Sequence, residues 1–120
     1  LFEGVTSDVF TPMSQADLFI LPSSWEGMPM TIIEAMGTGL SVIASRVGGV
    51  PDMVTDGESG LLIEPTAEAL AAAIEKLARN EALRQSLGKK AREEAQRFSL
   101  PAMARGYEAL YASVTEGAPL

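Results

Sequence analysis

Apolar positions along the chain alternate between two patterns. Short unbroken runs suit buried parallel strands. They occur at residues 18–21, closed by Pro22, at residues 41–45, rich in Val and Ile, and at residues 61–63, closed by Pro65. Residues 1–4 predict a further short strand. Between and after these runs, apolar residues recur three and four apart, the spacing of a helix with one buried face. That spacing predicts a short helix over residues 7–15, which contains Pro12, and another over residues 30–36 that stops at Gly37 or Gly39. A third helix starts at Thr66 as N-cap, carries the stripe Leu70, Ala73, Ile74, Leu77 and Ala78, and ends at Asn80. Leu83, Leu87, Ala91, Ala95 and Phe98 make the next stripe. Gly88 lies within it, either breaking the helix or weakening it by about 1 kcal/mol relative to Ala. Ser99 caps a last helix with the stripe Met103, Tyr107, Leu110, Tyr111 and Val114, and residues 117–120 form a frayed tail.

Strand, helix, strand, helix, strand predicts the α/β class: a Rossmann-like open parallel sheet of three to four strands with flanking helices. The sheet is narrow for its class. The first residue is Leu1, inside a strand-like run. The expectation is one partial domain over residues 1–116, belonging to a longer protein.

Composition removes several chemistries. There is no Cys and no His among the 120 residues. A disulfide framework, thiolate metal sites and a Ser-His-Asp triad are therefore excluded. A cytoplasmic setting is the natural expectation. The net charge of −7 is unevenly spread. Residues 1–63 hold eight acids and one base, Arg46, whereas the remainder holds eight of each. Nucleic-acid binding needs a basic stripe, which this chain lacks.

The chemistry concentrates between the strand at residues 18–21 and the helix that follows. In open α/β sheets, ligands bind outside the carboxyl ends of the strands. Glu26 falls in that loop and Glu34 early in the helix, with seven residues between them. The helix start leaves N–H groups free and favours an anion. Gly27 and Pro29 shape a loop whose backbone can approach a ligand. A carboxylate accepts two hydrogen bonds from a vicinal diol, so two carboxylates beside a phosphate-binding helix end suit a sugar nucleotide.

Glu26, Glu34 and the residues around them resemble the Glu-x7-Glu motif of glycosyltransferase family 4, within the two-domain GT-B architecture. The likeness extends over Ala16-Asp17-Leu18-Phe19-Ile20-Leu21-Pro22-Ser23, over Glu34-Ala35-Met36-Gly37-Thr38-Gly39, and over Ser41-Val42-Ile43-Ala44-Ser45. Gly48-Gly49-Val50-Pro51-Asp52, the segment from Asp56 to Leu62, and Arg97-Phe98-Ser99 continue it in order. The resemblance implies the C-terminal, nucleotide-sugar-binding domain of a retaining hexosyltransferase. Glu26 would be the catalytic residue, contacting donor-sugar hydroxyls and stabilising oxocarbenium-like charge. Glu34 would hold the ribose, and Gly27, Met28, Pro29, Met30 and Thr31 would meet the sugar and diphosphate. No metal and no cofactor are implied, the nucleoside diphosphate sugar being a donor substrate. The N-terminal domain, a partner in the same longer chain, would receive a glycan or lipid-linked acceptor and carry any peripheral membrane association. It and the first strands of the nucleotide-binding domain lie outside these residues, with the cations that clamp the diphosphate.

Other readings stand beside these. Thr31-x-x-Glu34 also matches a capping box. Glu26 could be a plain loop carboxylate. Gly48 and Gly49 border a ligand or form a tight turn, and Gly57 and Gly60 read as turn glycines. Trp25 stacks on a sugar or packs under the loop. Met28, Met30 and Met36 read as core or loop filler, not a special site, and the charges at residues 89–94 as a solvated helix face. Part of the last helix's stripe is expected to be exposed. A stand-alone module that binds nucleotides or nucleotide sugars is the alternative function; a GT-B epimerase or phosphorylase is a third.

Overall fold

A computed structural model describes residues 4–115. The strand expected at residues 1–4 and the tail at 117–120 fall outside the described residues, apart from Gly4, which is in no strand. Three strands, β1 (Leu18–Leu21), β2 (Ser41–Ser45) and β3 (Gly60–Ile63), pair in parallel in the order β1-β2-β3. Leu18 lies opposite Ser41, and Val42 opposite Gly60. Among the described residues five α-helices accompany them: α1 (Phe10–Ser14), α2 (Met30–Thr38), α3 (Ala67–Ala78), α4 (Glu81–Ala95) and α5 (Leu100–Thr115).

The packing of the strands shows why their sequences carry apolar residues at successive positions. Side chains alternate between faces along a strand. Phe19, Leu21, Val42, Ala44 and Leu62 join a cluster with Ile32, Ala35 and Met36 of α2 and with Ala91 and Ala95 of α4. Leu18, Ile20, Ile43, Leu61 and Ile63 face the other way, onto Leu70, Ala73, Ile74 and Leu77 of α3 and Leu83 and Leu87 of α4. β2 lies between both partners and all five of its residues are buried.

Helix ends follow local hydrogen bonding. The Asp8 carboxylate accepts from the N–H groups of Phe10 and Thr11 and from the Thr11 hydroxyl. These bonds start α1 at Phe10, three residues later than the periodicity suggests. Pro12 then sits in the first turn, where no N–H is required. α2 runs past Gly37 to Thr38 and stops at Gly39, whose φ is 84°. There Gly39 N–H donates to the Met36 carbonyl and Leu40 N–H to that of Ala35, a Schellman ending. Thr66 caps α3 by accepting from Ala69 N–H. Asn80 does not end α3. It opens α4 as N-cap, accepting from Leu83 N–H at 2.9 Å.

α4 runs unbroken through Gly88. A Cβ there would lie 2.1 Å from the Gly39 carbonyl oxygen. The glycine lets α4 press against the end of α2. Arg97 then secures the end of α4: its guanidinium donates to the Asp52 and Met53 carbonyls at 2.6 and 3.0 Å and sits 4.6 Å from the centre of the Phe98 ring. Ser99 precedes α5 and accepts from Ala102 N–H at 3.4 Å. α5 buries none of its residues, and Leu100, Met103, Tyr107, Leu110, Tyr111 and Val114 are all exposed. Among the described residues no helix is long and apolar enough to cross a membrane.

Two predictions follow from these contacts. Gly88→Ala should destabilise the protein by about 1–3 kcal/mol through overpacking, although helix propensity alone favours Ala by about 1 kcal/mol; urea unfolding gives the sign. The Thr11 hydroxyl, then the Thr11 and Phe10 N–H groups, hold the Asp8 carboxyl below its ordinary pKa. Its contribution to the start of α1 is therefore present above the unfolded-state pKa and is lost as pH falls through the lower folded one. Carbon-detected NMR titration of Asp8 checks this, and a midpoint at or above the ordinary value contradicts it.

Candidate functional site

β1 ends at Leu21 and α2 begins at Met30, so residues 22–29 form a loop at the carboxyl edge of the sheet. Ser23 and Glu26 are half-buried in it, and the Ser23 hydroxyl donates to Glu26 Oε1 at 2.6 Å. This bond links the sole carboxylate of the loop to the end of β1. Trp25, Met28 and Met30 are 79%, 61% and 61% exposed. The packing alternative for Trp25 therefore fails, and Met28 and Met30 are not core residues, whereas Met36 is one at 0%.

Pro29 is the N-cap of α2 and provides no side-chain hydrogen bond. The first N–H groups of a helix have no partner within it, so those at Met30 and Thr31 face the loop's surroundings without a capping side chain. With Pro29 as N-cap, Thr31 is the second helical residue and Glu34 the fifth. The capping-box alternative fails for that reason: Thr31 is not the residue before the helix. Glu34 is half-buried on α2. Glu26, the open helix start and Glu34 thus occupy one loop-and-helix unit.

Two residues outside the motif set the loop's position. Gly49 N–H donates to the Gly27 carbonyl at 3.1 Å. Cβ atoms added at Gly48 and Gly49 would lie 1.7 Å from the Glu26 carbonyl oxygen and 2.3 Å from that of Gly27. The tight turn is there, closed around the pair by Val50 N–H donating to the Val47 carbonyl at 3.1 Å, and the two glycines are in addition the surface on which the loop rests. Spacing gives no hint of this, because the contact joins backbones some twenty residues apart. Gly60 is also more than a turn glycine. It opens β3, where a Cβ would crowd Val54 and the Val42 carbonyl.

Charge around the site is negative. Arg46 is the one base in residues 4–63, and it pairs with Asp56. Asp56 also accepts from Leu62 N–H at 2.9 Å, so the pair belongs to the β3 side of the sheet. Beside the strand ends lies a hollow of about 210 Å³ bordered by Pro22, Ser45, Pro65 and Thr66, among others. The Ser45 hydroxyl is buried there and has no hydrogen-bond partner among the described residues.

Known proteins resemble this chain in sequence and in fold. A galactosyltransferase of Escherichia coli, UDP-Gal:alpha-D-GlcNAc-diphosphoundecaprenol alpha-1,3-galactosyltransferase, is 42% identical over 64 residues, covering 53% of this chain and 16% of its own length. The lipopolysaccharide core mannosyltransferase LpsB of Rhizobium meliloti is 39% identical over 80 residues, covering 65% of this chain and 22% of its own. This chain thus spans about a fifth of such relatives. Among solved structures, HepE of Anabaena in complex with UDP and glucose superposes with a TM-score of 0.87 at 27% identity, over 94% of this chain and 32% of that one. Sucrose-phosphate synthase of Thermosynechococcus elongatus gives 0.80 at 38% identity, over 89% and 27%. These neighbours are GT-B glycosyltransferases, and the described sheet is part of that α/β architecture. The family model described as glycosyl transferases group 1 matches residues 2–94, and on that match the chain belongs to the group 1 glycosyltransferases.

Proposed function

We propose that this chain forms the donor-binding part of the C-terminal domain of a family 4 glycosyltransferase, which moves a sugar from a nucleoside diphosphate to an acceptor with retention of configuration. One observation carries the reading. Glu26, held by Ser23, stands immediately before an α2 start that lacks a capping side chain, and Glu34 follows on the same helix. The crystallised complexes of HepE with UDP and with UDP-glucose support a sugar nucleotide as donor.

In this reading the diphosphate meets the N–H groups at Met30 and Thr31, where the helix dipole favours an anion. The backbone of Gly27, Met28 and Pro29 lies along the sugar and diphosphate. Glu34 accepts from the ribose hydroxyls. Glu26 accepts from hydroxyls of the transferred sugar. As the bond to the leaving diphosphate breaks, positive charge grows on the sugar ring, and the Glu26 carboxylate stabilises it. The leaving charge grows on the phosphate, toward the helix end. A glycan or lipid-linked acceptor approaches from the N-terminal domain of the longer chain. The reaction has a cytoplasmic setting, and any peripheral contact with a membrane is carried by that other domain.

Cations that neutralise the diphosphate are also assigned to segments outside these residues, since Arg46 is engaged by Asp56. A single exposed helix end contributes only about 0.3–1 kcal/mol. The 120-residue chain alone should therefore bind UDP-glucose no more tightly than about 1 mM, which corresponds to roughly −4 kcal/mol. Calorimetric titration tests this, and micromolar affinity would favour the stand-alone binding module.

In the full-length enzyme, Glu26→Gln should lower kcat by about 10²–10³-fold, as for loss of one preorganised electrostatic contact. Glu34→Gln should instead act mainly on donor KM, by roughly tenfold, from a lost charge-assisted hydrogen bond of about 1.5 kcal/mol. Ser23→Ala should reduce kcat less than Glu26→Gln, with recovery in Ser23→Thr. Steady-state rates against a panel of UDP-, GDP- and ADP-sugars measure all three, and NMR of the product reads its anomeric configuration. Wild-type kinetics in both carboxylate variants would overturn the site.

A further inference from the structure

The loop at residues 22–29 has no buried side chain, although Ser23, Glu26 and Pro29 are half-buried. Its neighbour at residues 46–49 is part of a firmer assembly. Val47 N–H donates to the Ser45 carbonyl, Val50 N–H to that of Val47, and Asp52 N–H to that of Gly49. The 3-10 turn Val50–Asp52 follows directly. Val50, Met53 and Val54 lie in the core at 1%, 0% and 1% exposure, and Arg97 holds the Asp52 and Met53 carbonyls from outside. One loop is anchored in the core and the other leans on it.

We infer that Gly48 and Gly49 are positioning residues for the transfer reaction: they fix how far the Glu26-Gly27 backbone stands from the sheet, and so where the Glu26 carboxylate and the start of α2 meet the donor. This rests on the reading of Glu26 and α2 as the donor site. The supporting surface is backbone against backbone. Gly49 has a φ of −83° that any residue can adopt, so its lack of a side chain is explained only by the Gly27 carbonyl. A methyl group there, 2.3 Å from that oxygen, must push the loop outward by about 1 Å to reach ordinary contact. Misplacement of catalytic groups by about 1 Å costs on the order of 10²-fold in rate. Gly48, at φ 51°, combines the same collision with a left-handed backbone.

Gly57 separates the two effects. Its φ is 78°, and a Cβ there would meet nothing within 4 Å. Gly57→Ala therefore introduces backbone strain without touching the loop. Gly49→Ala introduces the collision without the strain.

The experiment uses the full-length enzyme with the best-turned-over member of a panel of UDP-, GDP- and ADP-sugars. Gly49→Ala and Gly48→Ala should each lower kcat/KM by about 100-fold with unchanged far-UV circular dichroism, while Gly57→Ala keeps wild-type kinetics. Trp25 lies in the displaced loop. With 5-fluorotryptophan, the ¹⁹F resonance assigned by its loss in Trp25→Phe should move in both loop-collision variants and stay in place in Gly57→Ala. Unchanged kcat/KM in Gly49→Ala, or an unmoved Trp25 resonance in it, overturns the proposal. Equal losses in Gly57→Ala do so too, because strain would then explain everything. Should neither collision variant fold, hydrogen exchange of the wild-type enzyme decides: a protected Gly49 amide supports the contact, and exchange at the rate of a free loop refutes it. Glu26→Gln is run in parallel. Retained activity in that variant with loss in Gly49→Ala removes the role of Glu26 and leaves the positioning intact; the opposite pattern does the reverse.

Discussion

The structure depends on β2. It is the only described strand with a partner on each side, and it is buried on both faces. β1, β3, α2, α3 and α4 all pack against it. Val42 and Ala44 demand apolar cover on one face and obtain it from α2 and α4. Ile43 demands it on the other and obtains it from α3 and α4. Burying a side chain of this kind contributes about 1.5–3 kcal/mol, so the strand cannot shift register by one residue without exchanging its two faces. That fixed register carries Ser45, Arg46 and the two glycines beyond them to the edge of the sheet beside the end of β1.

The position of the candidate site is inherited from this arrangement in two steps. β2 fixes the loop that follows it, and that loop supports the one after β1. Nothing inside residues 22–29 would hold Glu26 in place without this support, apart from the bond from Ser23. The electrostatics have the same dependence. Asp56 occupies Arg46 and completes the hydrogen bonding of Leu62 on β3, which leaves the loop with carboxylates and helix N–H groups. An anion held at such a place meets dipoles close by and repulsion from Glu26 and Glu34, so further positive charge is required to complete it.

Much of this was legible from residue order. The strands were readable because each is apolar on both faces and is closed by Pro or Gly. The stripes of α3 and α4 were readable because their burial follows helical spacing, and the Glu26 loop because it lies between a strand end and a helix start. Errors arose where one residue type serves two geometries. Asn suits both the end of a helix and the start of the next, and only the Asn80-to-Leu83 hydrogen bond decides. Thr31 and Glu34 match a capping box, yet Pro29 starts the helix earlier. Asp8 shortened α1 through side-chain bonds that periodicity does not register. Gly48, Gly49 and Gly88 were visible as glycines, but their reason is another segment's carbonyl, and no local pattern encodes that.

A support made of main chain leaves side chains free to vary. Trp25, Met28 and Met30 project from a loop whose height none of them determines. In the proposed donor site, their replacement would change what a ligand touches without changing where the loop stands. A fold with this property can diversify its substrates by substitution at a few exposed positions while its stability stays nearly constant. The names of two relatives, a galactosyltransferase and a mannosyltransferase, mark the kind of divergence that such a separation between support and recognition would permit.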